Sequence, residues 1–166
     1  MKKIFLFLAV AVMALQGCDG PEGPAGPTGY SAEAQVYETI PIDFLTPSFG
    51  VFYTFPQAIL ASDHVLVYRL SAIDNGADVW RLLPQSFYFA DGTFDFGYNY
   101  DFTQFDVNLF IEGNDLSTLG TQFTQDQIFR IVVVPGYFAR SSVDVNDYNA
   151  VIQSLGVEGK AIKPIQ

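Results

Sequence analysis

Cysteine, histidine and tryptophan each occur once in this 166-residue chain, and 8 basic residues face 18 acidic ones. One cysteine excludes an internal disulfide framework and any zinc site built on cysteines. One histidine, His64, excludes multi-histidine metal sites and narrows histidine-based catalysis to a single position. The net charge of −10 leaves no basic patch for a phosphate backbone, which excludes nucleic acid as a partner class. No apolar run approaches the ~20 residues that an ordinary membrane-spanning helix needs. What the chain does contain is apolar material: 49% hydrophobic and 16% aromatic residues, with a mean hydropathy of +0.22. That is enough for one sizeable core at a one-domain length, and it excludes an intrinsically disordered chain.

The amino terminus reads as an address. Lys2 and Lys3 precede a 12-residue apolar stretch, IFLFLAVAVMAL, from Ile4 to Leu15. This is the layout of a signal-peptide h-region, too short to cross a bilayer. Leu15-Gln16-Gly17-Cys18 follows and resembles the bacterial lipobox, in which a small residue precedes an acylated cysteine. The resemblance implies cleavage between Gly17 and Cys18, diacylglycerol on the Cys18 thiol and an acylated new amino terminus. An ordinary secreted protein with a stray cysteine is the alternative, but the chain's sole cysteine stands where the motif requires it. Removing residues 1–17 leaves 6 basic against 18 acidic residues, a net of −12. Two or three acyl chains anchor stably without help from a basic patch.

Gly20-Pro21-Glu22, Gly23-Pro24-Ala25 and Gly26-Pro27-Thr28, closed by Gly29, have the collagen period. Three triplets are too few to hold a triple helix alone. Residues 19–29 read instead as a polyproline II stalk, reaching about 34 Å at ~3.1 Å per residue. Together these segments resemble cell-envelope lipoproteins of Bacteroidota, which carry a brief collagen-like Gly-Pro run after the acylated cysteine. The resemblance covers residues 1–29. Residues 30–166 are similar to a domain family of the same bacteria that brings no activity to transfer. It implies a lipid bilayer as partner through Cys18, with the outer membrane favoured over the inner one; periplasmic and surface-facing orientations both stay open, and Asp19 does not settle the membrane.

From Tyr30 onward the pattern changes to short apolar runs of period 2 between turn signals. Strands are expected over residues 34–44, 50–55, 64–73, 79–83, 86–90, 93–102, 105–111 and 128–134. Pro41 marks the first as an edge or bulge; β-branched IFRIVVV marks the last as central. Asn75-Gly76 is a tight-turn signal, and Asp91-Gly92 predicts a two-residue type I′ hairpin. Phe94, Phe96, Tyr98, Tyr100 and Phe102 alternate with Asp95, Gly97, Asn99 and Asp101, as in a half-buried antiparallel strand. One helix is expected near the carboxyl end, capped by Asp144, with Tyr148, Val151, Ile152 and Leu155 on one stripe and Gly156 at its C-cap. The expected fold is an all-β antiparallel sandwich of seven or eight strands over residues 30–166, with one short C-terminal helix.

Chemistry is sparse. Ser62-Asp63-His64 are adjacent on an extended segment, so their side chains diverge instead of converging as a triad must. Asp91, Asp95, Asp101, Asp106, Glu112 and Asp115 could supply a glycosidase pair, but most are placed where turns and polar faces already explain them. Oxygen ligands for calcium cluster at Asp74 and Asp78 and at Asp144 and Asp147, where turn and capping roles compete. The hairpin aromatics Phe87, Tyr88, Phe89, Tyr98, Tyr100 and Phe102 fit either a core row or an exposed ligand face, with Tyr88, Tyr98 and Tyr100 the binding candidates and the core row preferred. Trp80, beside Arg81, reads as a packed residue with a polar edge.

The resulting expectation is a lipid-anchored, non-catalytic structural or binding module with no cofactor, whose partners are glycans or envelope proteins. A glycan-binding or adhesin-like module is the alternative, and a carboxylate-based carbohydrate enzyme the remoter one. The anchor has its own test: Cys18→Ser is expected to abolish membrane fractionation and metabolic palmitate labelling. Persistence of both would remove the lipoprotein assignment.

Overall fold

The computed structural model describes residues 34–160 and 162–165; the expected signal peptide over residues 1–17, Cys18 and the expected Gly-Pro spacer lie outside the described residues. Ser31–Gln166 forms one compact unit. Its strands, among the described residues, are β1 (Gln35–Thr39), β2 (Gly50–Thr54), β3 (His64–Asp74), β4 (Ala77–Leu82), β5 (Gln85–Tyr88), β6 (Phe94–Phe102), β7 (Asp106–Gly113), β8 (Phe129–Val134) and β9 (Lys163–Ile165). They form a five-stranded sheet, β4-β3-β8-β1-β9, and a four-stranded sheet, β2-β7-β6-β5. All pairings are antiparallel except that of β1 with β9. Two helices, α1 (Thr121–Thr124) and α2 (Tyr148–Ser154), and two 3-10 turns complete the domain.

The sandwich architecture is the one the alternation predicts. Val65 and Val67 of β3, Phe129, Ile131 and Val133 of β8, and Tyr37 of β1 face Phe96 and Tyr98 of β6 and Val107, Leu109 and Ile111 of β7. Each fully buried aliphatic or aromatic side chain of this kind contributes about 1.5–3 kcal/mol. Phe44 closes the layer with an edge-to-face contact on Phe129 at 6.0 Å. The five-stranded sheet is also covered on its outer face. There Val36, Tyr68, Val132 and Val134 pack against Phe138, Val151 and Val157, with Tyr148, Ile152 and Leu155 alongside. The expected helical stripe thus lies on that face, and β8, with its continuous apolar run, is the middle strand.

Several local expectations need correction. Pro41 does not mark an edge: β1 stops at Thr39 and lies inside its sheet, between β8 and β9. The parallel strand β9 carries too short a pattern, KPI, to be legible in advance. The Asp91-Gly92 hairpin is not type I′. Gly92 alone has φ +86°, while Asp91 accepts hydrogen bonds from the backbone N and Oγ1 of Thr93, and Gly92 N donates to Phe89 O. A type I turn with a bulged glycine results. Asn75-Gly76 has positive φ at both residues, 49° and 84°, and is the two-residue type I′ turn. The helix cap is Asp147, which accepts from Ala150 N, and not Asp144.

Tyrosine hydroxyls tie the layers together. Tyr98 Oη donates to Phe123 O at 2.6 Å, Tyr100 Oη to Val65 O at 2.9 Å, and Tyr68 Oη to Val145 O at 2.7 Å. Burial raises the phenol pKa of Tyr37, Tyr53, Tyr68, Tyr100 and Tyr148, and pushes Tyr98 up to about 12. A phenol whose folded pKa exceeds its unfolded value contributes stability that is complete below the unfolded pKa and lost as pH rises toward the folded one. The thermal midpoint is therefore expected to fall steadily once pH passes the ordinary tyrosine value of 10.0. Phenolate absorbance of these six tyrosines is expected to appear together with unfolding, not before it; their early, non-cooperative ionisation would contradict the packing.

Candidate functional site

On the outer face of the five-stranded sheet, Tyr68, Arg130 and Glu38 stand in one row across β3, β8 and β1. Trp80 of β4, opposite Leu70 of β3, stands in the next row on the same face, at the sheet edge. The start of α2 lays Tyr148 over it, with ring centroids 5.1 Å from Tyr68 and 5.8 Å from Trp80. The Arg130 guanidinium lies 4.0 Å from the Trp80 ring centroid and 5.1 Å from that of Tyr148. Its Nε pairs with Glu38 Oε2 at 2.7 Å, its Nη1 donates to Tyr148 Oη at 3.1 Å, and Asp78 Oδ2 is 3.9 Å from Nη2. A charge-assisted pair with two aromatic neighbours is the strong version of such a contact. Tyr148 is thereby fixed in place: burial raises its pKa, and the adjacent Arg130 charge partly offsets this.

Beside this cluster, β4 and the loop leading into α2 line an open, shallow cleft of about 410 Å³. Trp80 and Tyr148 form its aromatic wall; Asp78, Asp144, Asn146 and Asn149 contribute polar side chains. Asp144 accepts from the backbone N and the Nδ2 of Asn146, both at 2.9 Å, and these bonds hold its carboxyl below the usual carboxylate value. Asp147, also at the cleft, spends Oδ1 on the helix cap. The cleft offers carboxylates, carboxamides and aromatic edges, a set that can orient hydroxyl-bearing or cationic groups.

The fold distributes the sequence-derived candidates as follows. Of the four calcium candidates, Asp78, Asp144 and Asp147 line the cleft, while Asp74 sits in the β3–β4 turn beside Asn75. No group of three or more carboxylate, histidine or cysteine side chains among the described residues is arranged to hold a metal. Tyr98 and Tyr100 are corrected as ligand candidates: their rings face the core and their hydroxyls are spent on backbone carbonyls. Tyr88 is exposed, with its ring 6.0 Å from Phe94. The other exposed aromatics among the described residues, Phe52, Phe89, Phe102, Phe105 and Tyr137, each belong to a different strand, turn or loop. Strand alternation puts Asp95, Asp101, Asp106 and Glu112 on the outer face of the four-stranded sheet, where Glu112 accepts from Asn99 and Asp106 from Thr103. Asp91 belongs to its hairpin and Asp115 caps a 3-10 turn. His64 begins β3, exposed, its ring 6.3 Å from Phe102, while Asp63 turns back to accept from Leu60 N.

Sequence reasoning missed the Trp80–Arg130–Tyr148 grouping. Its members come from three elements far apart in the chain. The one available signal was Arg130, the only charged residue in an otherwise apolar β8, which needed a partner. No family model, curated protein or solved structure matches this chain.

Arg130 is largely buried and Glu38 more exposed, at 15% and 36% of their side-chain surface. The pair therefore belongs between exposed and buried ion pairs in value. Glu38→Gln is expected to cost about 1–2 kcal/mol in denaturant unfolding. In the Arg130→Met background the same change should cost nearly nothing, because no buried charge is left stranded; equal costs in both backgrounds would show that the pair is not coupled.

Proposed function

We propose that this protein is a lipoprotein of the bacterial cell envelope, attached through acylated Cys18 and most simply placed in the outer membrane, and that its β-sandwich is a non-catalytic binding module. The cleft between β4 and α2 carries the second half of this reading. It is a concave feature walled by two aromatic side chains that Arg130 holds in fixed orientation, and preorganised walls lower the cost of binding. Catalysis by paired carboxylates calls for an acid whose pKa is raised. Asp144 is shifted the opposite way, and Asp147 is committed to capping α2, which favours binding over bond cleavage.

The glycan-binding reading is the version this cleft favours. Hydroxyl groups match its Asp and Asn side chains, and the aromatic edges match the apolar face of a sugar ring. Several carboxylates around the opening disfavour acidic ligands, so the expected ligand is a neutral glycan.

The test is a glycan and envelope-protein binding screen with the mature protein, repeated with Trp80→Ala and Asn149→Ala. A neutral glycan is expected to bind, with affinity reduced at least about tenfold by Trp80→Ala and several-fold by Asn149→Ala. Asn149 is exposed and makes no side-chain contact with Arg130, so its variant reports on the cleft while leaving the Arg130 contacts in place. Binding unchanged in both variants, or no binding to any probe, would overturn the assignment.

A further inference from the structure

Arg69 projects from β3 into the space between the two sheets and is only 9% exposed. Its guanidinium lies 4.6 Å from the Tyr98 ring centroid and 6.0 Å from that of Phe87. Nε donates to Gln85 Oε1 at 2.9 Å, and Nη1 to Gln127 Oε1 at 3.0 Å. Gln127 is held for this purpose, since its Nε2 donates to the carbonyls of Gln122 and Gln125. Both partners are neutral. A buried cation ordinarily has a carboxylate beside it. Among the described residues, none lies within 4.0 Å of Arg69.

The nearest charge in the strand register is another cation. Arg81 of β4 stands directly opposite Arg69, and the flanking pairs Tyr68–Leu82 and Leu70–Trp80 turn to the other face, so both arginines share the inner one. Like charges directly opposite on an antiparallel pair are destabilising. Arg81 is exposed, and it too has no carboxylate within 4.0 Å among the described residues. β4 and β5 are edge strands of their respective sheets, and Gln85 and Phe87 of β5 cover Arg69. Arg81 therefore stands exposed at the β4 edge, with Arg69 one strand inward beneath the cover of β5.

In a chain of net charge −10, two adjacent cations without a counter-charge are not explained by a shortage of carboxylates. Guanidinium groups pair with oxyanions through forked, charge-assisted bonds. Arg69 is preorganised by its two glutamine contacts, and Arg81 is exposed on the edge strand directly opposite it. We propose that Arg69 and Arg81 form an oxyanion-binding site at the β4–β5 rim, which takes the carboxylate, sulfate or phosphate group of a ligand. The site lies on the opposite face of β4 from the Trp80 cleft and does not depend on that cleft's function.

The test is thermal unfolding of the full chain while sodium phosphate, sodium sulfate or sodium glucuronate is titrated, against sodium chloride at equal ionic strength. A saturable rise in the midpoint with an oxyanion, absent with chloride, is expected. Arg81→Gln, at an exposed position, should fold normally and weaken the response about tenfold; Arg69→Gln should abolish it. In the unmodified protein the Nε–H resonance of Arg69 should shift along the same titration. A response to phosphate and sulfate alone assigns a tetrahedral ester group, and one to glucuronate alone assigns the carboxylate of an acidic sugar. Sulfate and phosphate also stabilise proteins generally by exclusion from their surface, an effect that grows without saturation. A non-saturating rise, or one that Arg81→Gln leaves intact, would overturn the proposal.

Discussion

Two-sided burial of the five-stranded sheet is the constraint on which the rest of the domain depends. β8 runs through the middle of that sheet, and five of its six residues are buried. One face joins the core between the sheets; the other requires a second cover. That cover is built from the 3-10 turn around Phe138, the loop through Val145 and helix α2. A seven-residue helix has little stability of its own. It is held by the Asp147 cap, the burial of Val151 and the contacts of Tyr148, so helix and sheet face stabilise each other.

The same constraint produces the candidate site. Arg130 sits in a strand buried on both faces, and its charge is met by Glu38, Trp80 and Tyr148 together. Meeting it draws the edge strand β4 and the helix start toward one point. The cleft is the space left at the rim of that convergence. Arg69, on the other face, is the contrasting case: its contacts are carboxamides and aromatic rings, and its charge is left unanswered. One arginine is thus used to hold walls in place, while the other is left as an attractive centre for an anion.

Much of the fold was legible in the sequence because strand patterns are local. The alternation through Phe96, Tyr98 and Tyr100 specifies an inward row, and the run IFRIVVV could only belong to a buried strand. Turn chemistry was legible where one residue type dominates, as at Asn75-Gly76, and misleading where a side chain intervenes. Asp91 bonds forward to Thr93 and thereby keeps a negative φ, which changes the turn type. The helix was visible in its stripe, but its cap was misassigned because two aspartates three residues apart compete for one role. Asp147 lies next to the first helical residue and wins it; Asp144 forms its own turn with Asn146.

By itself the sequence determined the sandwich class and the placement of most strands. These follow from period and composition, which are encoded within a few positions. Only the tertiary structure decided which polar residues meet. Arg130 and Glu38 are separated by 92 positions, Arg69 and Gln127 by 58, and Trp80 and Tyr148 meet from distant parts of the chain. No local pattern specifies such encounters, because they arise from strand order and register. Sheet order β4-β3-β8-β1-β9 carries Glu38, Arg130 and Trp80 to one face and leaves Arg69 and Arg81 together on the other.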